Sequence, residues 1–177
     1  MAIRHTSALA AKLVPVVAAL VLLAGSLGMT PAAGAAGIFL GMDGSWRGNG
    51  SIKWYNGESE GIHCRATNEV AEDGNKLQQT LTCANPSMGE PWKIKSNLTY
   101  REAAGIVNGS WSESYNGLSG QVTGSVRGNK IEGRVSVSAQ NVSVDVSVAT
   151  SSGQQTVMLR VRTPEGLTEI SVRLDRS

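Results

Sequence analysis

Histidine, aromatic residues and net charge are all scarce in this sequence. Of its 177 residues only 2 are histidines and 5% are aromatic. His5 lies among the first 36 residues, which leaves His63 as the one histidine of the remaining chain. Because a serine or cysteine nucleophile usually needs a neighbouring base, a single histidine leaves few catalytic arrangements. We predict no catalytic residues and expect that the protein is not an enzyme.

A charge excess of one sign is also missing from most of the chain. The first 36 residues contain Arg4 and Lys12 and no acid, whereas the remainder is balanced at 14 basic and 14 acidic residues. A balanced domain produces no long-range field that would steer it onto nucleic acid or anionic lipid. We therefore expect no nucleic-acid partner.

Residues 1–36 have the pattern of a secretory signal peptide. A basic start is followed by an apolar stretch and by small residues that end in an A-x-A motif at Ala33 to Ala35. The alternative is an uncleaved membrane anchor, but Pro15 interrupts the apolar run, which falls short of the ~20 residues that a spanning helix needs. We predict export to the periplasm or the extracellular space.

Cleavage after Ala35 or Ala36 would leave a single domain, residues 37–177, without a transmembrane segment. Oxidising compartments preserve disulfides, so Cys64 and Cys83 are expected to pair. Two cysteines without companion histidines make a poor zinc site, and the acidic pairs lack the spacing of a calcium loop. No metal or cofactor is predicted.

The remaining chain alternates with a period of two residues instead of a helical period. Clusters of Gly, Asn, Asp and Pro interrupt this alternation every roughly 8 to 14 residues, as in an all-β protein. We predict one antiparallel up-and-down meander of ten strands. The strands are expected near 44–54, 60–70, 76–83, 92–101, 106–115, 118–127, 130–138, 142–149, 155–163 and 167–174.

These strands share one apolar face, and no helix is available to cover it. The sheet is therefore expected to close as a barrel or to fold over as a flattened clam. An outer-membrane barrel is the alternative, but it needs aromatic girdles, and every Trp and Tyr precedes residue 116.

Partners across a hairpin lie on the same face of the sheet, so each turn can be tested for apolar pairing. A turn at Asp73-Gly74 places Cys64 opposite Cys83, which predicts a cross-strand disulfide that faces the core. The neighbouring His63 then faces outward, away from any interior site.

Turns at Asn116-Gly117 and Glu165-Gly166 are predicted as two-residue hairpins, and the first pairs Trp111 with Val122. The Asn56-Gly57 turn keeps the apolar face only as a three-residue loop with a glycine bulge. Further two-residue turns are predicted at Gly128-Asn129, Ala139-Gln140 and Ser152-Gly153.

Several glycines fall on the inner face of the predicted sheet. They would permit sharp coiling and close approach of neighbouring strands, and could also leave the interior too collapsed to hold a ligand. These glycines are Gly48, Gly50, Gly109, Gly120, Gly124 and Gly133.

Most of the aromatic residues also fall on the inner face, where they could line a binding pocket or fill the core. Glu113 shares the face of Trp111 and Tyr115, and a buried carboxylate there would need a partner. It could orient a polar group of a ligand, or simply meet water at the barrel rim. The predicted ligand-binding residues are Trp46, Trp54, Trp92, Tyr100, Trp111, Glu113 and Tyr115.

The opening Gly44-Ser45-Trp46 resembles the G-x-W start of lipocalins and other calycins, small meander barrels that enclose apolar ligands. The resemblance implies that Trp46 packs at the closed end of the barrel beneath an arginine of a late strand, such as Arg160 or Arg173. The chain departs from lipocalins in having ten predicted strands instead of eight and no C-terminal helix.

The early G-x-W and the single disulfide are also similar in outline to periplasmic barrels that inhibit metalloproteases. That resemblance implies an active N-terminal segment, here Gly37 to Asp43. The runs G-S-W-R-G-N-G, C-R-A-T and L-S-G-Q-V-T-G-S-V-R-G-N-K-I resemble exported bacterial proteins of no assigned activity.

Two functions follow as hypotheses. The first is an exported envelope protein that binds a small apolar or amphipathic ligand inside a β-barrel. The alternative is a structural or protein-interaction barrel, including a protease inhibitor that acts through its N-terminal segment on an envelope or secreted protein.

Overall fold

The computed structural model describes residues 37–87, 89–138 and 141–177, and the predicted signal peptide lies outside the described residues. The described chain forms ten antiparallel strands and three short 3-10 helices, at Leu40–Met42, Glu72–Gly74 and Glu102–Ala104. The strands are β1 (Gly44–Lys53), β2 (Ser59–Ala71), β3 (Lys76–Ala84), β4 (Trp92–Arg101), β5 (Ile106–Glu113), β6 (Ser119–Arg127), β7 (Lys130–Val137), β8 (Ser143–Ser151), β9 (Gln154–Thr163) and β10 (Gly166–Arg176).

The ten strands form a closed up-and-down barrel. Each strand pairs with the next along the chain, and β1 pairs with β10 to close the sheet, with Gly48 opposite Leu174. The predicted all-β meander is thereby confirmed, and of its two forms the closed barrel is the one adopted. Closure satisfies the backbone of every strand, because a barrel has no free edge. Among the described residues no helix is both long and apolar enough to cross a membrane.

The β2–β3 hairpin has the predicted register. Cys64 lies opposite Cys83, and the two form a disulfide with Cα atoms 4.1 Å apart. The β1–β2 connection is also the predicted three-residue loop, because the Trp54 amide donates to the Glu58 carbonyl at 2.8 Å. Gly57 takes a positive φ of 90° in this loop, which a residue with a Cβ would rarely adopt.

The predicted two-residue turn at Asn116-Gly117 is wrong. Trp111 lies opposite Gly120 instead of Val122, so the register is displaced by two residues and the connection is longer. A type I′ turn needs a positive φ at both central residues, but only Gly117 has one. The reason is the Glu113 side chain, whose carboxylate accepts hydrogen bonds from backbone amides of this loop.

The predicted turn at Glu165-Gly166 is displaced in the same way. Thr163 pairs with Gly166, so the turn consists of Pro164 and Glu165, and Leu159 faces Ile170 instead of Val172. Proline supplies the φ that the first central turn position requires. A displacement by two residues keeps every side chain on its predicted face, so the apolar interior is unaffected. The predicted Ala139-Gln140 turn lies outside the described residues.

The inner-face glycines let neighbouring strands approach closely, as predicted. A Cβ built on Gly124 would lie 2.7 Å from the Glu132 carbonyl oxygen, and one on Gly133 would lie 3.2 Å from that of Thr123. At Gly48, Gly50 and Gly109 an added Cβ would collide with the backbone of the adjacent strand. A side chain at these positions would therefore force the strands apart.

One end of the barrel is closed by residues 37–43, which we call the plug segment. Its Phe39 is fully buried, and the Phe39 amide donates to the Gly74 carbonyl at 3.0 Å. The Met42 carbonyl accepts hydrogen bonds from the Trp46 indole and the Asn68 side-chain amide, each at 2.8 Å. The segment predicted to act on a protease thus packs into the barrel itself.

The residue above Trp46 is Arg176, not Arg160 or Arg173. Its guanidinium lies 4.6 Å from the Trp46 ring centroid and donates to the carbonyls of Gly41 and Asp43. An arginine over this tryptophan was expected, but Arg173 is at a position of β10 that pairs with Asn49 on the outer face of β1. Arg176 pairs with Trp46 and ties the C-terminal strand to the plug segment.

Candidate functional site

The barrel has two ends that differ in how they are covered. The plug end carries the plug segment and the turns 72–75, 102–105, 128–129 and 152–153. The opposite end, which we call the pocket end, carries the loops 54–58, 114–118 and 164–165 and the described parts of the loops 85–91 and 138–142. At the pocket end a cavity of about 250 Å³ opens into the barrel.

Aliphatic and aromatic side chains form most of the cavity wall. Its deep part is made by inward-facing residues of the strands, while its mouth is made by residues of the loops. The lining residues are Ile52, Trp54, Tyr55, Trp92, Trp111, Glu113, Tyr115, Asn116, Leu118, Val144, Leu159, Val161, Thr163, Glu165, Thr168 and Ile170. An apolar wall with a few polar groups is typical of small-molecule sites.

The Glu113 carboxylate organises one side of the mouth. It is only 7% exposed and accepts from the Trp92 indole at 2.9 Å and from the Tyr115 amide at 2.7 Å. The amides of Asn116 and Leu118 donate to its other oxygen at 2.9 and 3.0 Å. These donors compensate the lost hydration of the carboxylate. Glu113 therefore does not simply meet water at the rim, and it holds the 114–118 loop in place.

Glu60 plays a similar role on another side of the mouth. Its carboxylate accepts from the Trp54 indole at 3.3 Å and from the side-chain amide of Asn85. Trp54 belongs to the first loop of the pocket end and Asn85 to the second. The two loops are therefore held together by one partly buried acid.

The structure brings five of the seven predicted binding residues to this cavity. Trp54, Trp92, Trp111, Glu113 and Tyr115 all line it. The other two predicted residues, Trp46 and Tyr100, do not line the cavity.

Trp46 and Tyr100 lie elsewhere in the barrel. Trp46 is 1% exposed and packs under the plug segment, where its indole bonds to Met42. Tyr100 packs against the cluster around Phe39 and Val107 at the plug end. Both have the predicted inward orientation, but alternation reports only the face of the sheet. The position along the barrel axis follows from the strand direction, which the prediction did not use.

Sequence reasoning missed Tyr55 and Glu165 among the lining residues. Tyr55 stands in the three-residue loop and Glu165 in the Pro164-Glu165 turn, and both are loop residues that alternation cannot orient. The available signal was the position of both loops at the same end as Trp92 and Tyr115. The aliphatic wall of Leu159, Val161 and Ile170 belonged to the predicted inner face but was not assigned to the pocket.

Trp111 separates the cavity from a smaller one of about 40 Å³ deeper in the barrel, and it lines both. The smaller space is large enough to hold water. The Trp111 indole nitrogen is buried and has no hydrogen-bond partner among the described residues. Trp111 thus forms the floor of the larger cavity.

Outside the barrel the polar residues pair with one another. His63 is exposed and its Nδ1 lies 2.7 Å from the Asn49 side-chain oxygen, so it faces outward as predicted. Hydrogen bonds from Arg162 and Arg134 lower the pKa of Asp145 on the outer wall.

The described residues contain no group of three or more His, Cys, Asp or Glu side chains placed to hold a metal ion.

No family model and no curated protein matches this chain. Solved structures do match its fold. Rv2717c from M. tuberculosis is 19% identical with a TM-score of 0.63, covering 78% of this chain and 94% of its own. The S-type phycobiliprotein lyase CPES from Guillardia theta is 12% identical with a TM-score of 0.58, covering 78% of this chain and 90% of its own.

A third similar structure is a protein of unknown function from the DUF3598 family of Nostoc punctiforme. It is 14% identical with a TM-score of 0.54, covering 77% of this chain and 48% of its own. At these identities the likeness concerns the fold. The fold that they share with this chain is a closed antiparallel barrel of lipocalin-like form, here with ten strands.

Proposed function

We propose that this protein is exported and binds a small, mainly apolar ligand in the cavity at the pocket end. The observation that carries the proposal is the cavity itself, about 250 Å³ in volume, apolar in its depth and polar at its mouth. Pockets for drug-sized ligands have volumes of about 300–1,000 Å³, and this cavity lies below that range, so the ligand must be smaller than a drug-sized molecule. The closed plug end leaves the pocket end as the entrance.

Two features support export. Residues 1–36 carry the signal-peptide pattern, and the Cys64–Cys83 disulfide persists most readily in an oxidising compartment. Expression of the full chain in a bacterial host should release a product whose N-terminal residue is Ala36 or Gly37. A product that retains Met1 in the cytoplasmic fraction would reject export.

Native mass spectrometry of protein purified from its own host tests ligand binding directly. A bound small molecule should appear as added mass that organic solvent removes. The neutral fluorophore N-phenyl-1-naphthylamine serves as a second probe, and its emission should rise when it enters the cavity.

A pair of variants on β9 makes the test specific to the cavity. Val161→Trp fills the lined space, so it should abolish both the added mass and the fluorophore signal. Met158→Trp introduces the same indole ring at a residue that is 37% exposed on the outer face, and it should leave both signals intact. No added mass and no fluorophore binding by the parent protein would refute the proposed function, as would equal binding by the two variants.

A further inference from the structure

The charged groups that face the cavity are acidic. Glu113 and Glu165 line it, and no lysine, arginine or histidine is found among the described residues of its wall. Neither carboxylate takes part in the ion pairs formed within the described chain. The protein therefore supplies negative charge to this cavity without a balancing cation.

Glu113 is the more informative of the two. Buried carboxylates are normally paired with a cation, yet Glu113 is 7% exposed and is surrounded by uncharged N–H donors. Both of its oxygens already accept hydrogen bonds from those donors. A cation that has no N–H of its own, such as a quaternary ammonium, can gain the Coulomb attraction without competing for the oxygens.

Glu165 adds a second negative charge at the mouth. A hydrogen bond from the Thr163 side chain lowers the pKa of the Glu165 carboxyl below its ordinary value, and the group is negative at neutral pH. Beyond it, the five loops of the pocket end contain Glu58 and Glu90 and no basic residue. Loops whose charged residues are all acidic attract ligands of the opposite sign.

Aromatic rings complete the environment. Five of the seven Trp and Tyr residues of the chain line this one cavity: Trp54, Tyr55, Trp92, Trp111 and Tyr115. Tyr55 and Tyr115 are each 57% exposed, which places them at the entrance. The face of an aromatic ring attracts cations, and quaternary ammonium groups are the ligands most often recognised in this way.

We propose that the ligand is a cationic amphiphile of the quaternary-ammonium class. Its apolar body would lie against the aliphatic wall, and its positive head group would lie among the aromatic rings near Glu113 and Glu165. This inference rests on the proposed function, because it needs a ligand in this cavity. It goes further by naming the sign and the chemical class of the polar group.

Isothermal titration calorimetry with three probes that share a hexyl chain tests the proposal. The probes are hexyltrimethylammonium, 1-hexanol and heptanoate, which are positive, neutral and negative. We expect the cation to bind about tenfold more tightly than the alcohol, as cation–π attraction in a partly desolvated site would provide. Heptanoate should bind most weakly, because its carboxylate meets like charges.

Two variants locate the selectivity. Tyr115→Leu keeps an apolar side chain but removes a π face, so it should weaken binding of the cation several-fold more than binding of 1-hexanol. Glu165→Gln should weaken binding of the cation and strengthen binding of heptanoate. Glu102→Gln makes the same charge change at an exposed site of the plug end and should alter neither. All three changes are at exposed or loop positions, so the barrel should fold in each.

The outcomes separate the two proposals. Tighter binding of the cation, lost selectively in Tyr115→Leu and Glu165→Gln, supports the inference. Binding of 1-hexanol or heptanoate as tightly as the cation overturns it and leaves the pocket function standing. If none of the three probes binds, N-phenyl-1-naphthylamine also fails to bind, and protein from its own host carries no added mass, the proposed function and the inference fall together.

Discussion

The two ends of this barrel contain similar residues but differ in what fills the space above the core. Each end has an inward tryptophan with a bonded indole: Trp46 donates to a backbone carbonyl at the plug end, and Trp92 donates to Glu113 at the pocket end. At the plug end the chain's own Phe39 fills the space above the core. At the pocket end the corresponding space is left open. The plug end is therefore filled by the chain itself, whereas the pocket end encloses a cavity of about 250 Å³.

The largest expected difference between the ends concerns stability. Phe39→Ala should lower the free energy of unfolding by about 3–5 kcal/mol, because it removes a fully buried ring and leaves a void beneath the plug segment. The matched change at the pocket end, Tyr115→Ala, removes a ring that is 57% exposed and should shift stability by about 0.5 kcal/mol or less. Urea titrations of both variants measure the contrast. Similar losses in the two would contradict the division of roles.

The disulfide should matter next most, and mainly near the pocket end. It links Cys64 to Cys83 across 19 residues, and Cys83 lies opposite Trp92, whose indole donates to Glu113 in the cavity wall. The double change to alanine should destabilise the protein by about 3 kcal/mol in the chain-entropy model. Hydrogen exchange should then speed up at the Leu118 amide, which also bonds to Glu113, more than at the Phe39 amide. The opposite order would argue that the disulfide braces the plug end.

Glu113→Gln should loosen the pocket end alone. A glutamine has one acceptor oxygen where the carboxylate has two, and its NH2 group would face N–H donors. We expect a loss of about 1–3 kcal/mol, with faster exchange of the amides of Tyr115, Asn116 and Leu118. The exposed Glu102→Gln is the control and should change neither. An unchanged loop in Glu113→Gln would mean that the carboxylate does not organise the mouth.

Gln155 offers a change in the opposite direction. It is fully buried, and neither its side-chain oxygen nor its nitrogen has a partner among the described residues. Because unsatisfied buried polar groups destabilise a fold, Gln155→Met should raise the midpoint of urea unfolding, equivalent to about 1–2 kcal/mol. Loss of stability in this variant would reveal a partner for Gln155, such as an enclosed water molecule.

The smallest effect is expected on the outer wall, away from both ends. Hydrogen bonds from Arg162 and Arg134 lower the pKa of Asp145 in the folded state. Its contribution is therefore complete above the unfolded pKa, near about pH 4, and is lost as the pH falls through the lower folded value. Asp145→Asn should reduce stability at pH 7 by about 1 kcal/mol or less, and the difference should vanish in acid. A difference that persists below pH 2 would require another cause.

Much of the site could be read from alternation because face is a local property. Inward orientation was predicted correctly for Trp54, Trp92 and Trp111. Their meeting in one cavity, and the exclusion of Trp46 and Tyr100 from it, depend on where each residue lies along the barrel axis. That position is set by strand direction and by the stagger of ten strands. The stagger cannot be derived from the residue pairs of a single hairpin.

The two turns that were predicted in the wrong register show a similar limit of prediction from local patterns. Asn-Gly is a good hairpin signal and Glu-Gly is a weaker one, but each prediction kept the correct face. The register moved because a buried carboxylate bonded to its own loop at Glu113 and because Pro164 took the first turn position. The first of these is a contact between residues two, three and five positions apart, which neither alternation nor turn propensity takes into account.

The sequence by itself determined the strand count, the inward face, the disulfide partners and the glycines that let strands approach. All of these follow from a two-residue period and from pairings within single hairpins. Only the tertiary structure decided that the sheet closes, that the plug segment fills one end, and that five aromatic rings and two acids gather at the other. Those outcomes join residues far apart in the chain, such as Gly41 with Arg176, and no local pattern encodes such contacts.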